Sequence, residues 1–144
     1  MKSPADFILS RVRAMHGYVP GLQRNDPEIV KLNTNENPFP VAPAVRAAVE
    51  AALHDDRLHL YPEPRSRELR AAIAEHVGLP AEHALNGNGS DEVLTILFRS
   101  LLDAGDSIVT ASPTYSLYPI LTDILGAHIQ AIPVRDDWQL DLAA

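Results

Sequence analysis

The run Asn86-Gly87-Asn88-Gly89-Ser90-Asp91-Glu92, followed at once by Val93-Leu94-Thr95-Ile96-Leu97-Phe98, predicts a strand that ends in a glycine turn and restarts as a helix. Gly87 and Gly89 tolerate positive φ and let the backbone approach a ligand with no Cβ in the way. Ser90 is the expected cap, and the first amides of the helix then point outward with the helix dipole behind them. Such a terminus is a ready site for an anion, phosphate above all. The residues alone leave two readings open, a bare strand-to-helix connection or a phosphate cradle. Two better-known cradles are excluded. The dinucleotide fingerprint needs a third glycine where Glu92 stands, and a P-loop needs a lysine after its second glycine. Asp91 and Glu92 would repel an anion, so any such guest belongs on the backbone side.

The 144 residues divide near Gly78-Leu79-Pro80 into a proline-rich arm, 1–78, and an alternation of strands and helices, 79–144. In the arm, Val45, Ala48, Val49, Ala52 and Leu53 form one apolar stripe and predict a helix over 41–53, with Pro43 suited to its first turn. Tyr61-Pro62-Glu63-Pro64 reads as extended, because each proline disfavours helix in the residue before it. Leu69, Ala72, Ile73 and Val77 then share the face of a second helix that stops at Gly78. The second part reads as β-α-β-α-β: strand 83–88, helix 90–102, strand 107–111, helix 115–125 and strand 128–132. That alternation predicts an α/β fold with a parallel sheet covered by helices. Asp141-Leu142-Ala143-Ala144 reads as the start of another helix, so the chain is expected to be truncated in mid-element.

The totals exclude several functions. A net charge of −7 argues against nucleic acid or an anionic membrane surface as partner. The chain has no cysteine, which removes disulfides, thiolate catalysis and cysteine metal sites. No signal-peptide core and no apolar run of spanning length is present, so no membrane partner is expected and the expected location is cytoplasmic. His16, His54, His59, His76, His83 and His128 are scattered, and no metal site is expected. Asp55-Asp56 and Asp136-Asp137 read as solvated loop carboxylates, and Arg65, Arg67 and Arg70 as a solvated helix start. Ser112 has no histidine base near it in sequence, which leaves a hydrolase reading without support.

A second feature, Ser112-Pro113-Thr114-Tyr115-Ser116-Leu117-Tyr118, lies at the carboxyl end of a predicted strand, where open α/β sheets bind ligands. Its tyrosine either stacks on a planar ligand or covers the end of the core.

Four motifs then occur in one order: Leu32-Asn33-Thr34-Asn35-Glu36-Asn37-Pro38, Tyr61-Pro62-Glu63, Gly87-Asn88-Gly89-Ser90-Asp91-Glu92 and Pro113-Thr114-Tyr115. In this the chain resembles the fold-type-I pyridoxal-phosphate aminotransferases, and most of all their histidinol-phosphate branch. The resemblance runs from about Tyr18 to the last residue and covers about the first two-fifths of a family member. It implies that 1–78 is an amino-terminal arm with small-domain helices, and 79–144 the beginning of the cofactor-binding large domain.

The resemblance also implies roles. The amides of Gly89, Ser90 and Asp91 would hold the phosphate of pyridoxal phosphate, and the Tyr115 ring would stack on its pyridine. Tyr61 would reach across a homodimer interface to the neighbouring subunit's phosphate, while Asn37 and Tyr18 would lie near the substrate. For Asn37 the plainer alternative is a turn residue before Pro38. The expected reaction moves an amino group between amino acids and oxo-acids as small-molecule substrates, in histidine biosynthesis. Related alternatives are an aromatic aminotransferase or a threonine-phosphate decarboxylase, and another class is a non-catalytic remnant that keeps a phosphate-binding or dimerising surface. The Schiff-base lysine and the aspartate that pairs with the pyridine nitrogen fall beyond residue 144 in the family order. Lys2 and Lys31, the only lysines, stand in the wrong segment, so this chain is expected to hold no catalytic residue and to be inactive alone. In the family order later strands lie between 83–88 and 107–111, so the isolated chain is expected to expose unpaired strand edges.

Overall fold

The computed structural model describes residues 3–16, 26 and 28–142. In chain order the helices are α1 (Ser10–Ala14), α2 (Pro43–His54), α3 (Arg67–Val77), α4 (Gly89–Leu101) and α5 (Leu117–Leu125), and the strands are β1 (Ser107–Ser112) and β2 (His128–Pro133). The described residues fall into two units, one drawn from 1–19 and 87–144, the other from 20–86.

In the unit 20–86, α2 begins at Pro43, two residues after the expected start of 41–53. Pro43 occupies the first turn, where its missing N–H would have had no intrahelical acceptor. The stripe Val45, Val49 and Leu53 nevertheless remains exposed. At the start of α3 the capping work falls to Glu63 instead of the nearer Ser66. The Glu63 carboxylate accepts the N–H of Arg65 at 3.1 Å and of Arg67 at 2.9 Å. The same helix stops at Gly78 as expected, and Leu79 N–H closes it on the Ala74 carbonyl at 2.8 Å. Ala74, on this helix, is 2% exposed and is the buried centre of the unit.

The strand expected over 83–88 is corrected. Ala81–His83 is a single 3-10 turn, and 84–88 runs on without a ladder. A strand exists only through a partner's N–H and C=O groups, and among the described residues β1 and β2 pair with each other alone. The α/β architecture stands, with one strand fewer than the expected alternation.

In the other unit, β1 and β2 pair in parallel, from Ser107 opposite His128 to Ser112 opposite Pro133. The connection between them is α5, as a parallel pair requires. Leu121 and Thr122 of α5 and Ala127 beyond it are buried. Thr122 is 0% exposed without penalty, because its hydroxyl donates to the Tyr118 carbonyl at 2.8 Å. Gly126 ends the helix at φ 75°, a conformation only glycine adopts freely, and Ala127 N–H returns to the Thr122 carbonyl at 3.1 Å. Arg11 of α1 reaches the same helix end and donates from Nε to the Ile124 carbonyl at 3.1 Å. A cation there also suits the negative end of the helix dipole. Among the described residues no helix is long and apolar enough to cross a membrane.

Candidate functional site

The glycine run forms a turn that delivers α4. Its cap position is Asn88, not the expected Ser90, and no side-chain oxygen caps it. The reason lies in the backbone. Gly89 takes φ 80° and already belongs to the helix, which leaves Ser90 inside the first turn. A helix start has four N–H groups without intrahelical acceptors. Here Asn88 N–H is taken by the Glu92 carboxylate, and Gly89 N–H bends back to the Gly87 carbonyl at 2.9 Å. Ser90 and Asp91 N–H remain, on successive residues and at the positive end of the dipole.

The two glycines serve different ends. A Cβ on Gly87 would sit 3.0 Å from Glu92 Oε2 and 3.2 Å from Val93 Cγ2, so glycine lets the turn close on the helix. A Cβ on Gly89 would meet nothing within 4 Å, so its demand is conformational and the space before it is open. From sequence Glu92 reads as a charge hostile to anions and as the residue that breaks the third-glycine fingerprint. In the structure its carboxylate is turned back onto the loop.

Tyr115 comes to the same helix start from the far side of β1. It precedes α5 instead of opening it, and its carbonyl accepts Tyr118 N–H at 3.2 Å. Its hydroxyl donates to Asp91 Oδ1 at 2.9 Å. Its ring meets Tyr118 edge-on, with centroids 5.8 Å apart and planes at 89°. Tyr118 in turn stacks on Phe98 of α4, at 6.1 Å and 13°. Tyr115 as a residue is 40% exposed, so it is supported and still open to solvent. From sequence Phe98 and Tyr118 stand inside the two motif runs without a role of their own, and the ring contacts give them one.

Gly89, Ser90, Asp91 and Tyr115 therefore converge in one unit. The other expected residues do not join them there. Tyr61 lies in the unit 20–86 with a fully exposed side chain. Asn37 lies in that unit too, and its Oδ1 accepts Phe39 N–H at 3.0 Å, the geometry of a turn around Pro38. Tyr18 lies outside the described residues. Nearby in sequence, Lys31 is paired with Glu36, which holds the Glu36 carboxyl below its ordinary range.

A pair of outward amides beside an accessible aromatic face suits a flat ring that carries an anionic group. Comparison with known proteins agrees on the family. The family model for aminotransferase class I and II matches residues 27–144. The chain belongs to the class I and II aminotransferases. This aminotransferase chain is 44% identical to histidinol-phosphate aminotransferase 2 of Dechloromonas aromatica over 134 residues, 92% of this chain and 38% of that protein. It is 39% identical to the histidinol-phosphate aminotransferase of Clostridium acetobutylicum over 136 residues, 94% of this chain and again 38% of the relative. Among solved structures, the histidinol-phosphate aminotransferase of Sinorhizobium meliloti in complex with pyridoxal-5'-phosphate superimposes with a TM-score of 0.65 at 29% identity. That match covers 72% of this aminotransferase chain and 28% of the solved one. The chain thus spans 38% of the length of the curated relatives it matches.

Proposed function

We propose that the protein acts as a pyridoxal-phosphate-dependent histidinol-phosphate aminotransferase with 2-oxoglutarate as the partner oxo-acid. The observation that carries this reading is the pairing of two outward amides, Ser90 and Asp91, with the Tyr115 ring tied to the same helix start. Pyridoxal phosphate, when bound, supplies the electron sink through which an amino group passes between amino acid and oxo-acid. The chain's own part is to hold it. Ser90 and Asp91 N–H donate to the phosphate, and Gly89, having no Cβ, lets that phosphate come close to the backbone. The Tyr115 ring covers one face of the pyridine and excludes water from it. Histidinol-phosphate aminotransferases of known name at 39% to 44% identity support the choice of substrate.

The remaining roles belong to the same proposal. Tyr61, fully exposed in its own unit, reaches the phosphate in a neighbouring subunit of a homodimer, which accounts for so large an aromatic standing in solvent. Asn37 and Tyr18 border the substrate. Residues 1–78 act as the arm and small-domain helices, residues 79–144 as the start of the cofactor domain, and the enzyme works in the cytoplasm. Lys31, one of the chain's two lysines, is engaged with Glu36.

The test is an assay of the full-length protein with histidinol phosphate and 2-oxoglutarate, alongside absorbance of bound cofactor. Glutamate formation dependent on histidinol phosphate is expected. Turnover of aromatic amino acids with histidinol phosphate inert would overturn the substrate, and absence of cofactor absorbance would overturn the enzyme reading.

A further inference from the structure

We infer that the Asp91 carboxylate is a positioning residue that sets the plane of the Tyr115 ring, separately from the donor role of the Asp91 amide. A tyrosine side chain turns about two bonds, so one contact does not fix its ring. Two of the contacts of Tyr115 bear on its ring, the bond from its hydroxyl to Asp91 Oδ1 at 2.9 Å and the edge-to-face contact with Tyr118. Both lead back to one element. Asp91 stands in the first turn of α4, and Tyr118 rests on Phe98 further along the same helix. The ring is thereby registered to the helix that carries the two outward amides, although 24 residues separate Tyr115 from Asp91.

The same bond resolves an electrostatic conflict. A carboxylate beside an anion site opposes the anion, and Asp91 is in the middle of this one. A phenol donor draws the carboxylate toward Tyr115 and meets its charge with a proton, while the amide of the same residue stays available. One residue thus serves the anion with its backbone and the ring with its side chain.

The ligand in this argument rests on the functional reading given above, and the experiment separates the two. The full-length protein is compared with Asp91→Ala, Asp91→Asn, Tyr115→Phe and the Asp91→Ala/Tyr115→Phe double variant. Three quantities are measured: affinity for pyridoxal phosphate, affinity for inorganic phosphate, and, in cofactor-free protein, the carbon-13 signal of the Tyr115 ring carbon that bears the hydroxyl. Asp91→Ala and Tyr115→Phe are each expected to weaken pyridoxal phosphate about three- to tenfold, the range of one hydrogen bond. The double variant is expected to be no worse than the weaker single variant, because both remove the same bond. Inorganic phosphate binding stays the same or tightens, since the amides remain. The Tyr115 signal moves in Asp91→Ala, and Asp91→Asn, which keeps an acceptor, retains most of the wild-type behaviour.

Additive losses, or a Tyr115 signal unmoved by Asp91→Ala, would overturn the inference. So would an Asp91→Asn variant as weak as Asp91→Ala, which would assign the effect to charge alone. If the wild-type protein ignores pyridoxal phosphate while the Tyr115 signal still responds to Asp91, the ring-setting role is upheld and the functional reading fails.

Discussion

Arg70 Nε donates to the Ala84 carbonyl at 2.7 Å, and Nη2 of the same guanidinium donates to the Ala81 carbonyl at 3.1 Å. One side chain of α3 therefore satisfies two main-chain acceptors in the segment that follows the helix. The rigid fork of arginine matches two carbonyls of one turn, and a lysine ammonium does not reproduce it. Hydrogen bonds from a charged donor contribute more than neutral ones, and the first of these is partly buried. Arg70→Ala is expected to destabilise the full-length protein by about 1–3 kcal/mol, and Arg70→Lys to recover less than half of that loss. Urea unfolding of the three proteins decides the point. Equal midpoints for all of them would show that the two bonds contribute nothing.

The two glycines of the turn are expected to respond differently to alanine. Gly89→Ala adds a methyl to open space but forces φ 80° on a residue with a Cβ, a strain of about 1–2 kcal/mol. Gly87→Ala brings the new methyl against Glu92 Oε2 and Val93 Cγ2, so the Glu92 side chain must give way and its bond from Asn88 N–H is weakened. Amide hydrogen exchange should then rise at Asn88 in Gly87→Ala and stay unchanged there in Gly89→Ala. The reverse pattern would contradict the assigned role of Glu92.

Proline at position 91 removes one of the two outward donors while remaining compatible with a first helical turn. Asp91→Pro is expected to weaken inorganic phosphate binding by the full-length protein several-fold, on the order of one charge-assisted hydrogen bond. Titration calorimetry reads this directly. An unchanged dissociation constant would place the anion elsewhere.

Asp137 is held below its ordinary carboxylate range, first by the side-chain bond from Arg135 and then by the N–H of Gln139. A lowered folded-state value gives stability that is complete above the ordinary aspartate value and lost as pH falls through the lowered one. Arg135→Ala is expected to return the Asp137 titration toward the ordinary range in a carboxyl-carbon NMR titration. Lys31→Met should do the same for Glu36, whose carboxyl is lowered chiefly by the Lys31 hydrogen bond. Because both carboxylates face solvent, the effect on midpoint stability should be slight. A shift absent from both titrations would mean that neither pair persists in solution.

Residues 1–144 expressed alone are expected to melt broadly and to self-associate. Only Ala74, Leu121, Thr122 and Ala127 are buried among the described residues, whereas Val45, Val49, Leu53, Leu97, Leu101 and Val109 stand exposed. A parallel pair with open edges is too small to be stable by itself. A sharp, concentration-independent melt from a monomer would reject this.

The helices were legible because their signals are local. Pro43 at the head of α2 acts through its fixed φ and missing N–H, and Gly78 after α3 and Gly126 after α5 through their own positive φ and cap N–H. The same holds for β1 and β2, whose apolar runs are bounded by turns. Ser90 failed as a cap for a local reason as well, since a backbone choice at Gly89 moved the helix start by one residue. For the candidate site, the amides were legible from the Gly87-Asn88-Gly89-Ser90 run, and Tyr115 from its place at a strand end.

Periodicity and turn chemistry thus determined where this chain coils, stops and pairs, because those choices depend on each residue and its immediate neighbours. Tertiary structure alone decided that 84–88 has no ladder and that Tyr115 leans on Asp91. Each of these needs a partner brought in through space, whether a second strand or a carboxylate 24 positions away. Nothing in a linear pattern specifies which partner arrives.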